Sequence, residues 1–183
     1  MQLLIDADAY LCLRKWGLLQ LLLRMAGKVT IVLAGYVAHH ELNDIQSELE
    51  EHQKSGTISV QDVKARTQAY RHFRELQNKG ADKGEAESIA WANGLPKASR
   101  PLFVSQDVHA RRLARENGLE AVDMFDLAIH LHAFGLVEKS EVQSLLASWD
   151  DNPHLACQPS DFAKFDETWS RHLSARRQRA RAR

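Results

Sequence analysis

The sequence predicts an α/β fold, with a central parallel sheet between layers of helices, and three observations carry that reading. Short apolar runs alternate with longer helical periods along most of the 183 residues, the signature of successive β-α units. The runs Leu3-Leu4-Ile5 and Leu102-Phe103-Val104 are apolar without alternation, as strands covered on both faces are. Each is followed within three residues by a carboxylate, Asp6 or Asp107, at the strand ends where open parallel sheets place their ligands.

Taken in order, a strand over 2–5 opens the chain, and a helix over about 9–25 follows, ended by Gly27. Asp8 is its expected cap, because it lies nearer the helix start than Asp6 does. The stretch Gly17-Leu18-Leu19-Gln20-Leu21-Leu22-Leu23 is very apolar, but Arg14, Lys15, Gln20 and Arg24 break it well short of a membrane span. It reads as a buried helix or a subunit contact. A strand over 29–33 leads to a helix over about 36–53, in which Val37, Glu41, Ile45 and Leu49 are spaced by four and share one stripe. Lys54-Ser55-Gly56-Thr57 breaks the pattern before a helix over 60–78, closed by Gly80. Another helix is expected over 83–93, with Asp82 and Glu85 at capping-box spacing before it and Gly94 and Pro96 after it. A strand over 101–104, a helix over 107–117 capped by Gly118, and a short strand near 120–123 form a second alternating unit. Helices follow near 124–134 and 138–149. After Asp150-Asp151-Asn152-Pro153 the composition turns polar, with a last helix over about 161–175. Residues 1–149 thus read as one domain, and 150–183 as an extension ending in an arginine tail.

Composition narrows the class. A hydrophobic fraction of 44% suits a globular core. Only Cys12 and Cys157 occur, far apart in the chain and without metal-ligand spacing, so neither a disulfide framework nor a zinc site is indicated and a reducing cytoplasm is expected. The formal net charge of zero hides an asymmetry: five of the 24 basic residues and none of the 24 acids fall within 175–183, so the rest of the chain is acidic by five. Arg176, Arg177, Arg179, Arg181 and Arg183 have the charge to contact phosphates, although terminal charge runs are usually solvated and disordered.

Four carboxylates resist a purely structural explanation. Asp6 and Asp107 follow strands; Glu41 interrupts an apolar helical stripe; Glu85 begins another helix. Two strand ends and two helices can deliver them to one cleft, where they would repel one another unless protonated or neutralised by a cation, and oxygen-only ligands suit Mg²⁺ or Mn²⁺. Each has a plainer reading: Asp6 and Asp107 as helix caps, Glu41 as a rim residue, Glu85 as half of a capping box. Glu87 lies roughly 200° around the helix from Glu85, so the two cannot face one site, and Glu85 is preferred over Glu87 or Asp82. Ser105 is a second cap candidate beside Asp107. His109, Arg111 and Arg112 could approach phosphates or be simply solvated. His39 and His40 are a weak ligand signal, and Glu48, Glu50 and Glu51 read as solvated face.

These segments resemble the PIN-domain nucleases, in particular the small prokaryotic toxins of toxin-antitoxin pairs. The likeness is carried, in order, by Leu4-Ile5-Asp6, His40-Glu41-Leu42, Gly84-Glu85-Ala86-Glu87-Ser88-Ile89-Ala90, and Phe103-Val104-Ser105-Gln106-Asp107 with Ala110-Arg111-Arg112-Leu113-Ala114 after it. The resemblance implies a Rossmann-like three-layer fold and metal-dependent hydrolysis of RNA phosphodiesters. It implies Asp6, Glu41, Glu85 and Asp107 as the acids holding Mg²⁺ or Mn²⁺, and Ser105 as their support. The expected partners are RNA, an antitoxin protein and a second copy of the chain, with no membrane. Two departures stand out: residues 150–183 exceed the usual small domain, and the segment 43–80 is long. A competing reading takes Leu4-Ile5-Asp6-Ala7-Asp8 as the start of a haloacid-dehalogenase-type phosphatase with Asp6 as nucleophile, but Tyr10 stands where that motif wants Thr or Val. A third takes the chain as a non-catalytic binding module.

Overall fold

The computed structural model describes residues 1–147 and 165–181, with the backbone alone at the arginines of the last turns. Five strands, β1 (Gln2–Ile5), β2 (Thr30–Ala34), β3 (Ile58–Gln61), β4 (Leu102–Val104) and β5 (Ala121–Val122), form one sheet in the order β3-β2-β1-β4-β5. Every pairing is parallel; β1 sits in the centre, with Leu3 opposite both Ile31 and Leu102. The chain builds β1, β2 and β3 outward to one side and then crosses to lay β4 and β5 on the other. The strand order therefore reverses between β1 and β4, where a crevice opens beyond the carboxyl ends of the strands.

Side chains alternate between the two faces as a pleated sheet requires. Leu3, Ile5, Ile31, Leu33 and Val104 enter one core with α1 (Ala7–Lys15), α2 (Leu18–Arg24), α7 (Met124–Ala133) and α9 (Phe165–Arg181). Leu4, Val32 and Phe103 enter a second core with α5 (Lys83–Asn93), α6 (Val108–Glu116) and Leu76 of α4 (Gln68–Asn78). Complete burial of Leu3, Leu4, Ile5 and Phe103 stabilises the centre of the sheet by roughly 1.5–3 kcal/mol per side chain. The three-layer α/β expectation is met.

Several local expectations are corrected. The helix expected over 9–25 is two, because Gly17 takes φ +75, a left-handed conformation that ends α1 and starts α2. Its cap is Asp6 rather than Asp8: Asp6 has extended backbone angles and accepts the Ala9 N–H, while Asp8 stands in the first turn. Leu18, Leu19, Leu22 and Leu23 of α2 are buried within the chain's own core, so the core reading prevails over the subunit contact. The helix expected over 36–53 is a π turn (Val37–Glu41), a 3-10 turn (Asn43–Ile45) and α3 (Gln46–Lys54). The stripe through Val37, Glu41, Ile45 and Leu49 is therefore broken: Val37 and Leu49 are buried, whereas Glu41 is exposed. The helix expected over 60–78 starts only at Gln68, capped by Thr67, and residues 58–61 are β3. The alternation Thr57-Ile58-Ser59-Val60 was the legible signal for that strand.

Cys12 is disulfide-bonded, against the expectation from cysteine spacing, and Cys157 lies outside the described residues. The helix α9 continues to Arg181, so a helical end replaces the disordered tail expected there, and Phe165 and Trp169 anchor it in the first core. The acidic run 150–153, the boundary at 149/150 and Arg183 lie outside the described residues. Among those described, no helix is long and apolar enough to cross a membrane.

Candidate functional site

Asp6 leaves β1 at the strand-order reversal. Its backbone N–H still pairs with the Val104 carbonyl at 3.1 Å, and its carboxylate turns back to accept the Ala9 N–H at 2.9 Å. Only 8% of the residue is exposed. Burial pushes its carboxyl up to about 6, against hydrogen bonds from the Ser105 side chain and Ala9 that favour the ionised form; Asp8 and Asp82 add to the rise. Ser105, fully buried at the end of β4, also accepts the Asp107 N–H at 3.0 Å, so one hydroxyl ties together the ends of the two central strands. Asp107 caps α6 by accepting the N–H groups of His109 and Ala110 at 2.5 and 3.4 Å, and it stays exposed at the cleft mouth. Arg111 donates to the Ser105 carbonyl at 2.7 Å, which places its guanidinium beside this edge, while Arg112 contacts His109 and Glu116 on the outer face.

Glu85 comes to the same edge from α5. Asp82 caps that helix, accepting the Glu85 N–H at 2.7 Å, and Glu85 is 8% exposed. Desolvation, followed by the charges of Asp82, Asp107 and Asp6, pushes its carboxyl up to about 7. Glu41 arrives on the π turn, its carboxylate lying against Gly84: a Cβ there would stand 2.5 Å from Oε1 and 2.9 Å from Oε2. Partial desolvation, then Asp82, Asp6 and Asp8, raises the Glu41 carboxyl to about 7, although the residue as a whole is exposed and water screens part of that effect. Glu87 points elsewhere. Its two oxygens accept the N–H groups of Tyr36 and Val63 at 2.6 and 3.1 Å, a structural duty that leaves Glu85 as the cleft-facing acid of the pair.

The fold therefore gathers Asp6, Glu41 and Glu85 into one field, with Asp107 acting on Glu85. Sequence reasoning ranked Asp82 below Glu85 and read Asp8 only as a cap candidate, yet both act on this field; Asp82 is the strongest neighbouring charge on both Glu41 and Glu85. Among the described residues, none of these acids has a basic side chain within ion-pair distance. A broad groove of about 1100 Å³ lies at the opposite, amino-terminal ends of the strands, lined by Met1, Gln2, Arg100 and Pro101 and by none of the acids.

A second cluster lies beyond β5. Asp123 caps α7 by accepting the Asp126 N–H at 2.8 Å, and His172 of α9 meets Asp126 at 2.7 Å. One ligand atom from each of the three lies within 4.8 Å of the others, tighter than any trio from the central acids among the described residues. This donor set of two carboxylates and an imidazole could hold a divalent ion. Sequence reasoning missed it, because His172 stands 46 residues from Asp126.

A PIN-domain family model, DUF3368, matches residues 2–165. The chain belongs to the PIN-domain family. PIN domains are generally metal-dependent nucleases, and membership leaves the haloacid-dehalogenase reading without support. Two solved structures are similar to this chain. The PilT N-terminus domain protein SSO1118 from the archaeon Sulfolobus solfataricus P2 is 18% identical, with a TM-score of 0.43, over 84% of this chain and 98% of that one. PAE2754 from Pyrobaculum aerophilum is 17% identical, with a TM-score of 0.46, over 73% of this PIN protein and 99% of that chain. No curated protein matches the sequence.

Proposed function

We propose that this PIN-domain protein is a metal-dependent endoribonuclease whose centre is Asp6, Glu41, Glu85 and Asp107. The observation that carries the reading is the crowding of carboxyls at the strand-order reversal, three of them raised to about 6 or 7 and none paired with a cation among the described residues. Holding several like charges together is costly unless a cation is to enter, and an all-oxygen set fits Mg²⁺ or Mn²⁺. When bound, the ion supplies charge neutralisation at the scissile phosphate and acidifies a water. The chain's own part is to hold the carboxylates in place: Ser105 and the Ala9 N–H fix Asp6, and the first turn of α6 fixes Asp107. Arg111 is placed to meet a phosphate entering this edge, with Arg112 and the α9 arginines Arg176, Arg177 and Arg179 contributing longer-range attraction.

The test is cleavage of a fluorescent single-stranded RNA with Mg²⁺ or Mn²⁺ and with EDTA, using the parent and Asp6→Asn. Metal-dependent cleavage by the parent, abolished in the variant, supports the reading; cleavage indifferent to both would remove it, and no cleavage at all would favour the binding-module alternative. The resemblance to small prokaryotic toxins supports three further assignments: a cytoplasmic location, a homodimer and an antitoxin partner. A small DNA-binding protein encoded beside this chain should bind it and suppress cleavage.

A further inference from the structure

The π turn that carries Glu41 is held by α5 at its start and faces the first turn of that helix at its end. At its start, the Tyr36 N–H donates to Glu87, whose other oxygen takes the Val63 N–H, so one carboxylate pins the segments that follow β2 and β3. Lys83 lies 5.3 Å from the centre of the Tyr36 ring, and that ring packs on His40 at 4.6 Å. At its end, the Leu42 N–H closes on the Val37 carbonyl at 3.0 Å, the wide turn that leaves Glu41 facing α5. There it meets Gly84, the one position in the helix's first turn without a side chain.

Glycine is the poorest helix residue short of proline, and the backbone at Gly84 is not left-handed, so neither helix formation nor backbone strain asks for it. What asks for it is space. The atoms a Cβ would strike all belong to the Glu41 carboxylate group, the nearest at 2.5 Å. We propose that α5 acts as the gauge for Glu41: Gly84 leaves the gap that admits its carboxylate against the start of the helix, and Glu87 holds the turn that aims it. Both are positioning residues, and the proposal rests on the reading of Glu41 as part of a nuclease centre. Because the obstructed atoms end a flexible side chain, a methyl at this position moves the carboxylate rather than the backbone.

Gly84→Ala should therefore fold normally and slow RNA cleavage at saturating substrate by up to roughly 100-fold, the cost of misplacing a reacting group by about an ångström, with KM unchanged. Glu41→Asp draws the carboxylate back from the helix, so in that background the same substitution should cost far less. Glu87→Gln, which has one acceptor oxygen for two backbone donors, should give a smaller loss of the same kind. A readout that needs neither metal nor RNA separates this from the nuclease reading: the metal-free melting temperature at alkaline pH. Glu41→Gln should raise it in the parent by relieving repulsion, and raise it less once Gly84→Ala has displaced the carboxylate. If the parent cleaves no RNA, the nuclease reading fails while this coupling still decides the gauge. An equal loss from Gly84→Ala in both backgrounds, full activity in Glu87→Gln, or no coupling in the melts would overturn it.

Discussion

Two groups of carboxylates stand at the carboxyl edge of the same sheet, and the fold treats them in opposite ways. At the centre, Asp6, Glu41 and Glu85 are surrounded by other acids, and burial together with like charge raises all three. At the β5 corner, Asp123 is occupied in capping α7, and Asp126 faces His172, whose ring is raised in turn, chiefly by that hydrogen bond. The corner acids have their compensation built into the protein; the centre leaves compensation to something added. Proximity alone does not distinguish them, since the corner trio is the tighter group. What distinguishes them is whether the partner of a carboxylate is a base or another acid.

The largest effect should come from removing one charge in each region. Asp6→Asn should lower single-turnover RNA cleavage by on the order of 100- to 1000-fold, as loss of an interaction made in the transition state does. Asp126→Asn should leave cleavage near that of the parent and lower the melting temperature. Comparable losses of cleavage in both variants would erase the contrast. Metal dependence is the next test. Mg²⁺ at about 100 times its dissociation constant should stabilise the parent by about 2.7 kcal/mol and Asp6→Asn by clearly less, read from melting curves with and without EDTA. A gain lost in His172→Gln and kept in Asp6→Asn would move the metal to the corner.

The two regions also separate by pH. An acid raised in the folded state stabilises the fold below its unfolded value and loses that contribution as pH rises through its folded value. The metal-free parent should therefore weaken between about pH 4 and 7, with roughly 3 kcal/mol of the change from Asp6, and Asp6→Asn should flatten that window. His172 is raised as well, so its contribution is complete below its ordinary value and is lost as pH rises beyond it. Because the pair is partly exposed, its loss should be near 1 kcal/mol, visible as a second decline absent from His172→Gln. A single decline indifferent to both substitutions would contradict the assignment. The smallest effect belongs to the end of α9. Removing residues 175–183 should leave turnover at saturating RNA unchanged and flatten the salt dependence of binding by up to roughly 3.5, about 0.7 for each arginine that meets a phosphate. An unchanged slope would assign these arginines to another role.

Much of this architecture was written locally. Strands β1 and β4 were legible because uninterrupted apolar runs bounded by carboxylates have few other uses, and α5 and α6 because Asp82, Gly94 and Gly118 punctuate them. The run containing Glu41 was misread, since spacing by four cannot tell a continuous helix from a π turn followed by a 3-10 turn. The short strand β3 was lost to the helix beside it, its alternation spanning only a few residues at the sheet edge.

By itself, then, the sequence determined the alternation of elements, the apolar faces of the sheet and the choice of Asp6, Glu41, Glu85 and Asp107 as acids in need of an explanation. These follow from nearest-neighbour chemistry: periodicity, caps and the rarity of carboxylates beside buried strands. Only the tertiary structure decided which acids share a field. That Asp82 presses on Glu41 and Glu85, that Glu87 is spent on the backbone of Tyr36 and Val63, and that Asp126 has His172 for company all depend on crossovers that join residues distant along the chain. Electrostatic energy depends on separation in space and on the solvent between charges, and a linear sequence records neither.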